Sequence, residues 1–118
     1  MEHEVETIES LSKDEFDTLP FGAIILDSEG IILKYNSREA ELSSLKKNSV
    51  LGKSFFNDIA PCTKVKEFYG RFIEGVKRKN LYETFDFVFK FERGDAFVTI
   101  TIIYNQSSDH ILIRVDQA

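Results

Sequence analysis

The sequence predicts an α+β domain built on one five-stranded antiparallel sheet, with helices packed on one face. Three observations predict it. Two short apolar runs, over 21–27 and 31–36, stand close together near the start. One strongly periodic helical segment follows in mid-chain, and three further strand-like runs follow that helix.

Each element has its own local signal. Residues 1–20 are charged and poor in apolar residues, but Ile8, Leu11, Phe16 and Leu19 suggest a short amphipathic lid. A segment of this composition is expected to pack weakly, with few buried contacts. The chain thus divides into a lid over 1–20 and a core over 21–118. Phe21 to Asp27 and Ile31 to Asn36 read as a hairpin, with Gly30 in the Ser28-Glu29-Gly30 turn free to take unusual backbone angles. Ser37 to Leu45 turns helical, with Ser37 as its expected cap. Ser54 to Ile59 reads as a short helix stopped by Pro61.

Glu67 to Lys79 carries Phe68, Phe72 and Val76 at intervals of four, with Tyr69 and Ile73 widening the same face. Glu67 at its start and Lys77, Arg78 and Lys79 at its end complement the helix macrodipole. Beyond it, Thr84 to Glu92 alternates Phe85, Phe87, Phe89 and Phe91 with mostly polar residues. A turn at Arg93-Gly94-Asp95 leads into Phe97 to Tyr104, and His110 to Val115 closes the sheet. The helices therefore fall between strands two and three.

Composition narrows the function. A chain of 118 residues suits one domain with a single core, and its 11 Phe predict a core rich in rings. A net charge of -5 disfavours nucleic acid and anionic membrane as partners, because like charges repel. The acidic start MEHEVETIES is unlike a signal peptide, and no apolar run approaches the roughly 20 residues that cross a bilayer. One cysteine forms no internal disulfide, which fits a cytoplasmic location.

Few residues carry chemistry. Cys62 is most simply a small buried core residue, as most lone cysteines are. It is otherwise a nucleophile or covalent anchor, since Pro61 sets the backbone before it and a helix end leaves amides free for a carbonyl oxygen. A cysteine hydrolase would need His110 as base, but adjacent strand residues point to opposite faces, so Asp109 is poorly placed to orient it. One Cys and two His are too few ligands for a zinc site. Tyr35 and Glu39 read as a strand-end tyrosine and a solvated helix glutamate. If both turn inward, they offer two hydrogen-bond donors to one buried acceptor, the glutamate only when protonated. The phenylalanine stripe is most simply a core face, although aromatic walls also suit a flat ring ligand.

These segments together resemble the photoactive yellow protein family. The residues that carry the resemblance are Phe21-Gly22-Ala23-Ile24, Ile32-Leu33-Lys34-Tyr35-Asn36, Glu39, and the run from Gly52 through Ala60-Pro61-Cys62-Thr63 to Glu67-Phe68-Tyr69-Gly70-Arg71-Phe72. The match covers about residues 16–118 and weakens after Arg93. The resemblance implies a PAS fold and a non-enzymatic blue-light photoreceptor, with p-coumaric acid held as a thioester on Cys62. It implies that the Cys62 amide faces the thioester carbonyl and that Tyr35 and Glu39 hydrogen-bond the phenolate. Ser43 stands where the family usually has threonine and keeps a hydroxyl to support Tyr35. Ile24, Phe55, Ile59, Ala60, Thr63, Phe89 and Phe91 are implied as the pocket lining. In light, a proton passing from Glu39 to the phenolate would leave a buried carboxylate and release the N-terminal segment as the signal.

Three positions depart from the family pattern. The pocket-covering arginine is missing near Ser44-Leu45-Lys46, Phe91 replaces a tyrosine, and Arg93 replaces a methionine associated with thermal recovery. The expected partner is an unidentified downstream signalling protein, met by a monomer or weak dimer. The alternative is a PAS ligand-binding or protein-interaction module that is not photoactive.

Overall fold

The computed structural model describes residues 2–117. Five strands form one antiparallel sheet in the order β2-β1-β5-β4-β3. They are β1 (Gly22–Leu26), β2 (Ile32–Tyr35), β3 (Tyr82–Phe91), β4 (Gly94–Asn105) and β5 (His110–Gln117). The first hairpin turns as expected. Gly30 sits at φ 84, and Asp27 Oδ1 accepts the main-chain N–H of Glu29 and of Ile31, each at 2.9 Å. β5 then inserts between β1 and β4, pairing Ile24 with Ile113 and Ile102 with Ile113 from the other side.

The inner face carries the main core. Ile24, Ile100, Ile102, Ile111 and Ile113 pack there with Phe55, Phe56, Phe68, Phe72 and Phe89. α3 (Ser37–Ser43), α4 (Lys47–Val50) and α5 (Arg71–Arg78) run between β2 and β3. α5 is preceded by a wider turn over Lys66–Gly70, so the predicted helix is present with an uneven start. Phe68 and Phe72 are buried as its spacing requires, but Ile73 is 43% exposed and does not belong to the buried face.

Three expectations change. The cap of α3 is Asn36, whose side chain accepts the Glu39 N–H, and Ser37 is the first helical residue. The β3–β4 turn is Glu92–Arg93, one residue earlier than expected, because Phe91 pairs directly with Gly94. Gly94 takes φ 131, which lets the strand begin at once.

The third change concerns the lid. α1 (Glu2–Ser10) and α2 (Lys13–Asp17) cover the outer face, so helices lie on both sides of the sheet. Val5, Ile8 and Phe16 are only 1%, 6% and 4% exposed. They pack on Ala23, Ile25, Ile103 and Leu112. Weak packing was the wrong expectation, because β1 and β5 present apolar side chains on both faces and the outer set must be covered. Ser12 and Glu15 form a reciprocal capping box that starts α2 despite its five residues.

Candidate functional site

The site begins where β2 ends. Tyr35 turns into the core at 4% exposure, and its hydroxyl donates to Ser43 Oγ at 2.8 Å. Ser43 closes α3, and its Oγ also accepts the Leu45 N–H at 3.2 Å. Between them in sequence, Glu39 lies one turn into α3 and points inward. It is 2% exposed, and its Oε1 has no hydrogen-bond partner among the described residues. A buried polar atom left unpaired costs free energy, so it marks a place where a partner fits.

Close approach of β1 makes room for this carboxyl. A β-carbon on Gly22 would stand 2.2 Å from Glu39 Oε1, so only glycine fits there without moving the acid. Burial pushes the Glu39 carboxyl up to about 8, so it keeps its proton at neutral pH. Burial raises the Tyr35 phenol too, as does the Glu39 carboxylate once it ionises above about pH 8, against the opposing hydrogen bond to Ser43. The pair is thus a set of two hydroxyl donors held neutral inside the core.

Asn36 holds this arrangement in place. It is fully buried, and its Oδ1 accepts the N–H of Ala23 at 2.9 Å and of Glu39 at 3.0 Å. Its Nδ2 donates to the carbonyls of Phe21 at 2.9 Å and Phe16 at 3.3 Å. Sequence reasoning missed this residue. The signal is present, since asparagine caps helices as well as serine does, but position 36 also continues the strand-like run of 31–36.

The cysteine lies on a separate irregular segment. Phe55–Ile59 forms a wide turn closed by the Ala60 N–H on the Phe55 carbonyl at 2.8 Å, with Ser54 as its cap. Wide turns of this kind recur at functional positions. One tight turn follows, Pro61–Thr63, with proline at its first position. Cys62 in that turn is a half-buried free thiol packed against the main core. Thr63 is fully buried, but its hydroxyl donates to the Ala60 carbonyl at 2.6 Å, so its donor is already used.

The remaining sequence-predicted residues share this core. Ile24 pairs with Tyr35 across β1 and β2, and Phe55, Ala60 and Phe89 are buried in the same cluster. Ile59 and Phe91 pack at its margin. The Phe89 and Phe91 rings stack at 5.4 Å and 15°, giving β3 a flat aromatic wall. Arg93, which the sequence placed only by resemblance, reaches back from the β3–β4 turn. Its guanidinium donates to the Leu42 carbonyl near the end of α3 and lies 5.6 Å from the Phe91 ring centre. A surface cleft of about 410 Å³ is lined in part by Gly22, Leu42 and Arg93.

His110 is not part of this site. It meets Glu9 on the outer face, whereas Cys62 packs on the inner one. Among the described residues no cluster of three or more His, Cys, Asp or Glu is placed to hold a metal. None of the described helices is long and apolar enough to cross a membrane.

Comparison with known proteins agrees with this architecture. The PAS fold family model matches residues 13–116. The photoactive yellow protein of Halochromatium salexigens is 44% identical over 94 residues, covering 80% of this chain and 75% of that protein. That of Rhodothalassium salexigens is 50% identical over 86 residues, covering 73% and 69%. The crystal structure of the photoactive yellow protein domain from the sensor histidine kinase Ppr of Rhodospirillum centenum superposes with a TM-score of 0.91 at 39% identity, covering 95% of this chain and 98% of that one. With this fold, and relatives this similar over most of its length, the chain belongs to the photoactive yellow protein family of PAS-fold proteins.

Proposed function

We propose that this protein is a blue-light photoreceptor carrying p-coumaric acid as a thioester on Cys62. Its family supports a photoreceptor of PAS fold. The observation that carries the finer reading is the partnerless Glu39 Oε1, buried in the core with the Tyr35 hydroxyl as its electrostatic neighbour. A neutral acid with a free position and a phenol suit a hydrogen-bond acceptor between them. The half-buried Cys62 thiol suits an acyl anchor, and the stacked Phe89 and Phe91 suit a flat conjugated ring.

When bound, the group supplies a double bond that isomerises in blue light and a phenolic oxygen that is anionic in the dark. Cys62 Sγ would hold the acyl carbon, with its own amide toward the carbonyl oxygen. Tyr35 and Glu39 would both donate to the phenolic oxygen. The Tyr35 hydroxyl now donates to Ser43 Oγ, but a hydroxyl both donates and accepts. Ser43 can reverse that bond and free Tyr35 to donate inward. Ile24, Phe55, Ile59, Ala60, Thr63, Phe89 and Phe91 would exclude water from the pocket.

Signalling follows from what Glu39 does when it gives up its proton. A carboxylate at 2% exposure with few donors costs several kcal/mol. Moving the first turn of α3 outward relieves that cost. This turn is tied to the lid at two adjacent points: Asn36 Nδ2 on the Phe16 carbonyl, and the Ser37 N–H on Asp17 Oδ1 at 3.1 Å. Charge on Glu39 would therefore loosen residues 16–17 directly, and partial unfolding of the N-terminal segment would present a surface to a downstream signalling protein.

The test is to incubate the purified apoprotein with activated p-coumaric acid. The expected result is a mass increase that is lost in Cys62→Ala, with reversible bleaching under blue light. No adduct, or an adduct that survives in Cys62→Ala, overturns the reading in favour of a non-photoactive PAS module.

A further inference from the structure

Polar contacts from the sheet converge on one carboxylate of the lid. Glu9 Oε1 accepts from Asn105 Nδ2 and from Ser108 Oγ, each at 2.8 Å, and Glu9 Oε2 meets His110 Nδ1. The Glu9 main-chain carbonyl, at the end of α1, accepts Lys34 Nζ at 2.6 Å. The Glu9 side chain is 15% exposed and that of His110 31%. The same helix inserts Val5 and Ile8 into the outer core, so this polar cluster and the apolar contact hold one element.

We propose that the Glu9–His110 contact makes docking of the lid on the sheet depend on pH, giving the protein a proton input besides light. Histidine is the side chain whose charge ordinarily changes between about pH 5 and 8. Further lid–sheet polar contacts of α1 join Arg114 to Glu4, Ser107 to Glu6 and Lys34 to the Glu9 carbonyl, and none of them involves an imidazole. Among the described residues the charged group that meets the imidazole is Glu9 of α1. Of the others nearby, Glu6 of α1 accepts from Ser107, Lys34 of β2 donates to the Glu9 carbonyl, and Asp109, the neighbour in sequence, is engaged by the Tyr104 hydroxyl. Burial works to raise the Glu9 carboxyl, but hydrogen bonds from His110, Ser108 and Asn105 outweigh it and hold it below the ordinary range. Glu9 therefore stays ionised throughout, and the imidazole decides the sign. A docked imidazolium has both a hydrogen bond and an opposite charge, whereas a neutral ring keeps only the hydrogen bond. Docking tightens as pH falls and loosens as pH rises.

The experiment follows amide hydrogen exchange of α1 in the full chain, without pigment, at about pH 5.5 and pH 8, corrected for intrinsic rates. A His3→Gln background leaves His110 as the remaining imidazole, since the chain has two histidines. The expected opening of α1 is about two- to fivefold greater at the higher pH, the factor that suits a partly exposed ion pair. His110→Gln on that background should remove the dependence while the β4 and β5 amides stay protected. Equal opening of α1 at both pH values, a dependence that survives His110→Gln, or one shared equally by the sheet amides overturns the proposal. Because no pigment is used, the outcome is independent of the photoreceptor reading.

Discussion

Glutamine at position 39 keeps the shape of the glutamate and removes its ionisation. In the wild type, burial raises the carboxyl from 4.5 to about 8. The folded state thus holds a proton that the unfolded chain releases once the pH passes 4.5. The sign follows: the contribution is fully present below the unfolded value and is lost as pH rises through the folded one. At about 1.4 kcal/mol per pH unit, the whole interval corresponds to at most about 5 kcal/mol. Local relaxation reduces that, so a total of about 2–5 kcal/mol is expected, which is large for a domain stable by about 5–15 kcal/mol. The assay is urea unfolding of unloaded Glu39→Gln and wild-type protein between about pH 5 and 9. The difference in unfolding free energy should grow with pH in favour of the variant and level off above about pH 8. Glu9 and Asp17 have carboxyls held low, so their contributions fade only on acidification and are common to both proteins. Parallel curves across the range would refute the buried, protonated acid and the switch built on it.

Two further outcomes follow from the contacts around the site. Asn36→Ala removes four buried hydrogen bonds shared by α3, β1 and the lid, one of them the cap of α3, and should cost about 2–4 kcal/mol. Chemical denaturation measures it, and a loss below about 0.5 kcal/mol would show that the network is not made in solution. Arg93→Met cuts the tie between the β3–β4 turn and the Leu42 carbonyl, so the pigment-loaded variant should recover from bleaching at a changed rate. Transient absorption reads that rate, and recovery identical to wild type sinks this assignment.

Much of the fold was legible because its signals are local. Alternation in 84–92, the run of apolar residues in 21–27 and the four-residue spacing of Phe68, Phe72 and Val76 each depend on neighbours a few residues away. Errors occurred where two local signals competed. Asn36 was both a strand end and a cap, and the turn at 92–94 could be placed one residue either way until the pairing of Phe91 with Gly94 decided it. The lid was misjudged for another reason. Its own composition is polar, and what buries Val5 and Ile8 is the outer face of a sheet whose strands lie more than ten residues away.

By itself the sequence determined the fold class, the strand and helix order, and the family through the run ending in Ala60-Pro61-Cys62-Thr63. Only the tertiary structure decided that Glu39 Oε1 is buried without a partner, that Asn36 joins its helix to the lid, and that Arg93 reaches Leu42. It alone brought His110 to Glu9, which lies 101 residues earlier in the chain. The physical reason is common to all four. Periodicity tells which side of an element is apolar, but which polar atoms meet depends on strand register and on how elements pack, and those are settled only when the whole core closes.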